Sequence, residues 1–146
     1  HVATSEIPTI NIENLASKWA LGKDKVYEIL YVMEHLELLN IVRFKSDKKT
    51  VSKGAKIFLA DPSMYQVLSG QVGNQRVAIV TTVFRQIREE IYACKDERVG
   101  DFETSKVTLE IGGKNKKLKG ADFVIRDDID SPTKKVLPLW SLGMMY

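Results

Sequence analysis

Twice between residues 11 and 36 the apolar side chains recur at helical spacing, with one short break. Past residue 40 the period drops to two, and this order commits the first half to a pair of helices followed by a hairpin. Asn11 is a good helix cap, and Ile12, Leu15, Ala16 and Trp19 follow at the i, i+3, i+4, i+7 positions of one buried face. Leu21-Gly22 stops this helix. A second starts near Asp24 and aligns Val26, Ile29, Leu30, Met33 and Leu36 on one stripe. After Leu38-Leu39-Asn40, Ile41, Arg43 and Lys45 alternate with Val42 and Phe44. Ile57-Phe58-Leu59 makes a second strand, ending at Asp61-Pro62, and the residues between the strands are polar. Helix, short turn, helix and basic hairpin describe a winged helix-turn-helix over residues 1–69.

The net charge of +3 is unevenly spread. Residues 1–40 carry three lysines against six acids, whereas residues 41–56 carry six basic side chains, Lys56 among them, against Asp47 alone. In a nucleic-acid reading the second helix enters the major groove of double-stranded DNA and the hairpin meets phosphate. The contacts would be Lys23, Lys25, Arg43, Lys45, Lys48, Lys49 and Lys53. Asp24, Glu28 and Glu34 lie on the same helix and would repel a phosphate backbone. Binding through about six cations is therefore expected to be modest and salt-dependent. A protein-docking or spacer role is the alternative.

The second half, residues 70–146, reads as a small α/β domain, which makes the whole an α+β chain. A short helix over 63–68 and a linker over 69–74 precede a helix over 75–90, whose apolar positions Ile79, Val80, Val83, Phe84, Ile87 and Ile91 keep helical spacing. Strands are expected over 91–94, 101–104, 107–111 and 121–126, in a mixed, mostly antiparallel sheet. Strand parity puts Val107, Leu109 and Ile111 on one face and Glu110 on the other, and sets Asp101 opposite Phe102. If these strands pair with Asp101 near Glu110, two carboxylates converge. Hard cations such as magnesium bind in such places, and phosphodiester cleavage uses them to activate water. Asp122, between apolar neighbours, suits a structural bridge to Arg126 or Lys119, and residues 127–132 suit a polar turn. Residues 137–146, with Trp140, suit core packing or an interface.

At 44% hydrophobic and 28% charged residues the composition is that of a globular chain. No apolar run approaches the length of about 20 residues needed to cross a bilayer, so no membrane partner is expected. A single cysteine, Cys94, excludes a disulfide framework and a cysteine zinc site, agrees with a cytoplasmic protein, and reads as a small buried hydrophobe. The chain opens His1-Val2-Ala3 with no targeting pattern, as a piece cut from a longer protein would.

Several stretches resemble the tail of archaeal and bacterial AAA-type ATPases. They include Pro8-Thr9-Ile10-Asn11-Ile12-Glu13-Asn14-Leu15-Ala16, Asp61-Pro62-Ser63-Met64-Tyr65, Asp96-Glu97-Arg98-Val99-Gly100-Asp101-Phe102, Ala121-Asp122-Phe123-Val124-Ile125-Arg126-Asp127-Asp128 and the ending Leu137-Pro138-Leu139-Trp140-Ser141-Leu142-Gly143-Met144-Met145-Tyr146. The resemblance implies a parent with an N-terminal ATP-binding module outside these residues, which would be this region's partner. It also implies that the second half is similar to the PD-(D/E)xK restriction-endonuclease fold. Carried over by position, Asp101 and Glu110 would be its metal-binding pair, for magnesium or manganese, with Lys114 as the lysine.

Two positions depart from that pattern. The lysine belongs two residues after the glutamate, where Gly112 stands, and Lys114 lies one pleat further, roughly 7 Å along the strand. The Gly112-Gly113 pair either bends the strand to bring Lys114 back or ends it. Early in the long helix, Arg76 is followed by Val77 where the pattern carries glutamate. The expected function is that of a DNA-contacting or partner-binding regulatory module of an ATPase, with an inactive nuclease-like domain. A metal-dependent nuclease using Asp101 and Glu110, and a pure protein-interaction platform, are the alternatives.

Overall fold

The structure, a computed structural model, describes residues 2–4, 9–47, 52–68 and 72–145. Lys48, Lys49, part of the expected linker and the 69/70 boundary lie outside the described residues. Helix α1 (Ile12–Trp19) is capped by Asn11, whose side chain accepts the Asn14 amide, and ends where Ala20 turns left-handed. Helix α2 (Lys23–His35) packs Val26 and Leu30 against α1. Strands β1 (Leu39–Val42) and β2 (Lys56–Leu59) form the antiparallel hairpin, with Leu39 across from Leu59. After helix α3 (Met64–Val67), helix α4 (Val72–Gln86) crosses to a five-stranded sheet. Its strands are β3 (Tyr92–Ala93), β4 (Phe102–Glu103), β5 (Thr108–Gly112), β6 (Phe123–Arg126) and β7 (Val136–Pro138), side by side in that order. A 3₁₀ turn over Leu139–Met145 closes the described chain.

The fold is α+β with a mixed sheet. β3 pairs with β4 and β4 with β5 antiparallel, as expected, but β6 and β7 each run parallel to the strand before them. Parallel neighbours require a crossover rather than a hairpin, and residues 113–122 supply the one between β5 and β6. That crossover carries the lysines of the candidate site, Lys116 and Lys119. β7 was not anticipated. Of the closing stretch, Leu142 is buried, while Trp140, Met144 and Met145 are exposed.

Other departures have local causes. All four residues of β1 are buried, because the hairpin lies between the α1–α2 pair and α4; the strand therefore starts at Leu39 and stops before Arg43. Leu36, expected in the core, is 62% exposed, because α2 ends at His35 and the chain turns away. Val72-Gly73-Asn74, expected in the linker, forms the first turn of α4. The helix stops at Gln86 rather than 90, where Arg88 takes a left-handed φ of 60°.

Among the described residues, two apolar clusters form the core. One lies between α1, α2 and the hairpin, with Ile12, Leu15, Val26, Leu30 and Ile57 at its centre. The other joins the halves: Val42, Phe58 and Tyr65 pack with Val80, Phe84, Phe102, Leu109 and Ile125. The rings of Phe58 and Phe102 lie 6.3 Å apart, tilted. Backbone bonds reinforce this junction, since the Ala93 amide donates to the Arg43 carbonyl at 2.8 Å and Phe44 forms a parallel bridge with Ala93.

Candidate functional site

Pairing of β4 with β5 sets Phe102 across from Leu109 and Glu103 across from Thr108. Continued by one residue, that register faces Asp101 with Glu110. The Asp101 amide donates to the Leu109 carbonyl at 2.9 Å, and the Ile111 amide donates to Asp101 Oδ2 at 2.9 Å. Asp101 is thus anchored at the mouth of the pair. Glu110 is wholly buried, because β5 is a central strand flanked by β4 and β6.

The carboxylates converge on a lysine, and it is Lys116. Its Nζ stands 2.8 Å from Asp101 Oδ2 and 2.6 Å from Glu110 Oε2, while Lys119 Nζ lies 3.4 Å from Glu110 Oε1. Among the described residues, Glu110 is the one buried side chain whose oxygens have no backbone or neutral side-chain donor. Two ammonium groups meet its charge instead. Such a pair is costly to break, because removing one partner leaves the other buried and uncompensated, a loss of about 3–5 kcal/mol.

The Gly112-Gly113 pair explains how Lys116 arrives. β5 ends at Gly112, and the chain turns, with the Lys116 amide donating to the Gly113 carbonyl at 2.9 Å. A Cβ on residue 112 would lie 2.7 Å from Lys116 Cβ and 2.8 Å from its Cγ, so the glycine is the space the lysine stem occupies. Gly113 does the same for Arg76, whose guanidinium a Cβ would meet at 3.1 Å. Arg76 in turn holds Asp127 at 2.5 Å. Lys114, the lysine expected from strand parity, lies past the end of the strand and is exposed. Val77 packs on the core.

Electrostatics follow the geometry. Burial pushes the Asp101 carboxyl up, but hydrogen bonds from Lys116 and the Ile111 amide, with the charges of Lys116 and Lys56, hold it below its usual value. Burial likewise lowers Lys116, and the bonds and charges of Asp101 and Glu110 outweigh it and raise the ammonium above its usual value. Both groups stay ionised at neutral pH. Lys56, counted in the sequence with the basic hairpin, instead reaches into this region: its Nζ donates to the Asp101 carbonyl at 3.4 Å and lies 4.7 Å from the Phe102 ring centre.

The divalent cation that the resemblance implies does not fit this arrangement. Two carboxylates face two ammonium groups, so the charge is already balanced, and Lys116 Nζ stands where a cation bridging Asp101 and Glu110 would sit. Among the described residues no set of three or more His, Cys, Asp or Glu that could hold a metal ion comes together.

The neighbouring residues are structural. Asp122 does not bridge to Arg126 or Lys119; its Oδ2 accepts the Thr108 amide at 2.8 Å and the Thr108 hydroxyl at 2.9 Å. Arg126 pairs with Asp128 in the polar turn. Cys94 is buried, and burial first of all pushes its thiol up to about 11.

The expected nucleic-acid residues are largely engaged elsewhere. Lys23 pairs with Glu13 at 2.8 Å and Lys25 with Glu28 at 2.6 Å. Arg43 makes a two-pronged contact with Glu34, both half-buried. Lys45 and Lys53 are exposed. On the same helix Tyr27, Tyr31 and Val32 face solvent, followed by Leu36 and Leu38, and Tyr31 stacks on His35 with ring centres 6.0 Å apart. This surface borders a cleft of about 580 Å³ between α2, β1 and the end of α4, lined in part by Arg43, Arg85 and Arg88. Among the described residues no helix is long and apolar enough to cross a membrane. No protein-family model, curated protein or solved structure matches the chain.

Proposed function

We propose that the chain is a partner-binding regulatory module, the non-ATPase region of an AAA-type ATPase, whose winged-helix-like first half docks protein rather than reads DNA. Its second half, in this reading, keeps the outline of a nuclease without cleaving. The observation that carries the docking role is the outer surface of α2. The helix that would enter a DNA groove has its lysines paired with acids and offers Tyr27, Tyr31, Val32 and Leu36 to solvent. Tyr27 with Tyr31, and Val32 with Leu36, are exposed apolar pairs four residues apart along this helix and its C-cap, and exposed apolar patches rimmed by polar residues mark interaction sites. The seated Lys116 supports the absence of cleavage.

Fluorescence anisotropy on a labelled DNA duplex, alongside association with the ATPase portion of the parent, tests this reading. Duplex binding is expected to stay in the non-specific range of about 10⁻⁴–10⁻⁶ M and to fade with salt. Tyr31→Glu with Val32→Glu should abolish association with the ATPase portion and leave duplex binding unchanged. Tight duplex binding lost on neutralising Lys45, Lys48, Lys49 and Lys53 would overturn the docking role. Manganese-dependent cleavage lost in Asp101→Ala would overturn the non-cleaving one.

A further inference from the structure

We infer that Lys116 is a tethered replacement for a metal ion: the Asp101–Glu110 pair is a cation site whose occupant is built into the chain. The inference rests on the non-cleaving reading above and deepens it. Three observations converge. Both carboxylates address one ammonium nitrogen, at 2.8 and 2.6 Å, as two ligands address one ion. Glu110 is fully buried and no backbone or neutral side-chain donor reaches its oxygens, so its position depends on the ammonium groups rather than on a network of donors. The lysine stem occupies the space left by Gly112, which fixes the ammonium between the carboxylates.

A tethered ammonium and a bound divalent ion are mutually exclusive occupants. With Lys116 and Lys119 present each carboxylate already has an ammonium partner, with Lys56 close by, and a divalent ion would add two uncompensated charges to a buried site. With Lys116 neutralised, Asp101 loses its ion-pair partner and Glu110 keeps only the longer contact to Lys119, so the two oxygens that shared one ammonium are left without it. The protein as it stands should then ignore divalent cations, and loss of one lysine should create a site for them.

The test uses manganese alone as the probe, read by loss of the free-ion EPR signal and by thermal melting. The unaltered protein is expected to take up no saturable manganese and to melt at the same temperature with manganese or with chelator. Lys116→Met, which keeps most of the stem over Gly112, should melt lower, bind one manganese and recover part of its melting temperature when manganese is added. Adding Glu110→Gln to that variant should abolish the uptake. If Lys116→Met does not fold, Lys116→Gln, which retains a donor for Glu110, gives the same comparison. Saturable manganese binding by the unaltered protein that is lost in Asp101→Asn would overturn the inference, as would failure of both Lys116 variants to take up the ion. Either result leaves the docking surface on α2 to be judged by its own association experiment.

Discussion

Gly112 stands two residues after Glu110, and the space it leaves is filled by the stem of Lys116. Gly112→Ala is therefore expected to destabilise by about 1–3 kcal/mol in urea titration, the cost of overpacking against a neighbour whose Cβ cannot swing away. Gly73, in the first turn of α4 with nothing within 4 Å of an added Cβ, should respond in the opposite direction: Gly73→Ala should stabilise by about 0.5–1 kcal/mol. The cluster also sets a pH window. Asp101 is depressed in the folded state, so its contribution is present above the unfolded carboxyl value near 4 and is lost as pH falls through the folded one. Lys116 is raised, so its contribution is complete below the unfolded value near 10.4 and is lost as pH rises through the folded one. The contribution of this pair should be flat between these limits, and Asp101→Asn should shrink the acid limb of a stability–pH profile. Asp101 and Glu110 were legible in the sequence because strand parity and a short connection place them together. Lys116 was not, because parity loses its meaning once a strand ends, and the path of the chain past Gly113 is set by tertiary contacts. The local signal that could have found it was a glycine pair followed by a lysine-rich run, 114–119.

At the scale of elements, caps and apolar stripes made α1, α2 and the hairpin readable, and their limits were misjudged where tertiary packing overrode local pattern. β1 reads as half-buried from its alternation with Arg43 and Lys45, yet it is covered on both faces by elements distant in sequence. The parallel placement of β6 and β7 left no local mark, because the crossovers contain no helix to announce them. Both α1 and α4 end on residues other than glycine in left-handed conformation, Ala20 at φ 52° and Arg88 at φ 60°. The following residues close each helix, with the Leu21 amide donating to the Ala16 carbonyl and the Glu89 amide to the Phe84 carbonyl. Ala20→Gly and Arg88→Gly should each stabilise by about 1 kcal/mol in denaturant titration, since glycine adopts this conformation without the steric cost. A loss of stability in both would contradict the assigned helix ends.

For the whole molecule, the decisive feature is the core shared by the two halves, with Phe58 from the hairpin against Phe102 from the sheet. Unfolding is expected to be a single cooperative transition. Trp19 and Trp140, one in each half, can report it separately in single-tryptophan variants, and their denaturation curves should coincide. Phe58→Ala should lower both together by about 3–5 kcal/mol, whereas two separately folding halves would shift only the Trp19 curve. The same junction brings Lys56 of the hairpin to the backbone of Asp101, so the first half helps build the site in the second. Lys116 is the centre of that site, and diffraction from crystals grown at neutral pH and soaked in manganese tests it most directly. The expected map shows the Lys116 ammonium between Asp101 and Glu110 and no anomalous density there. An anomalous peak bridging the two carboxylates, with Lys116 turned out, would contradict it.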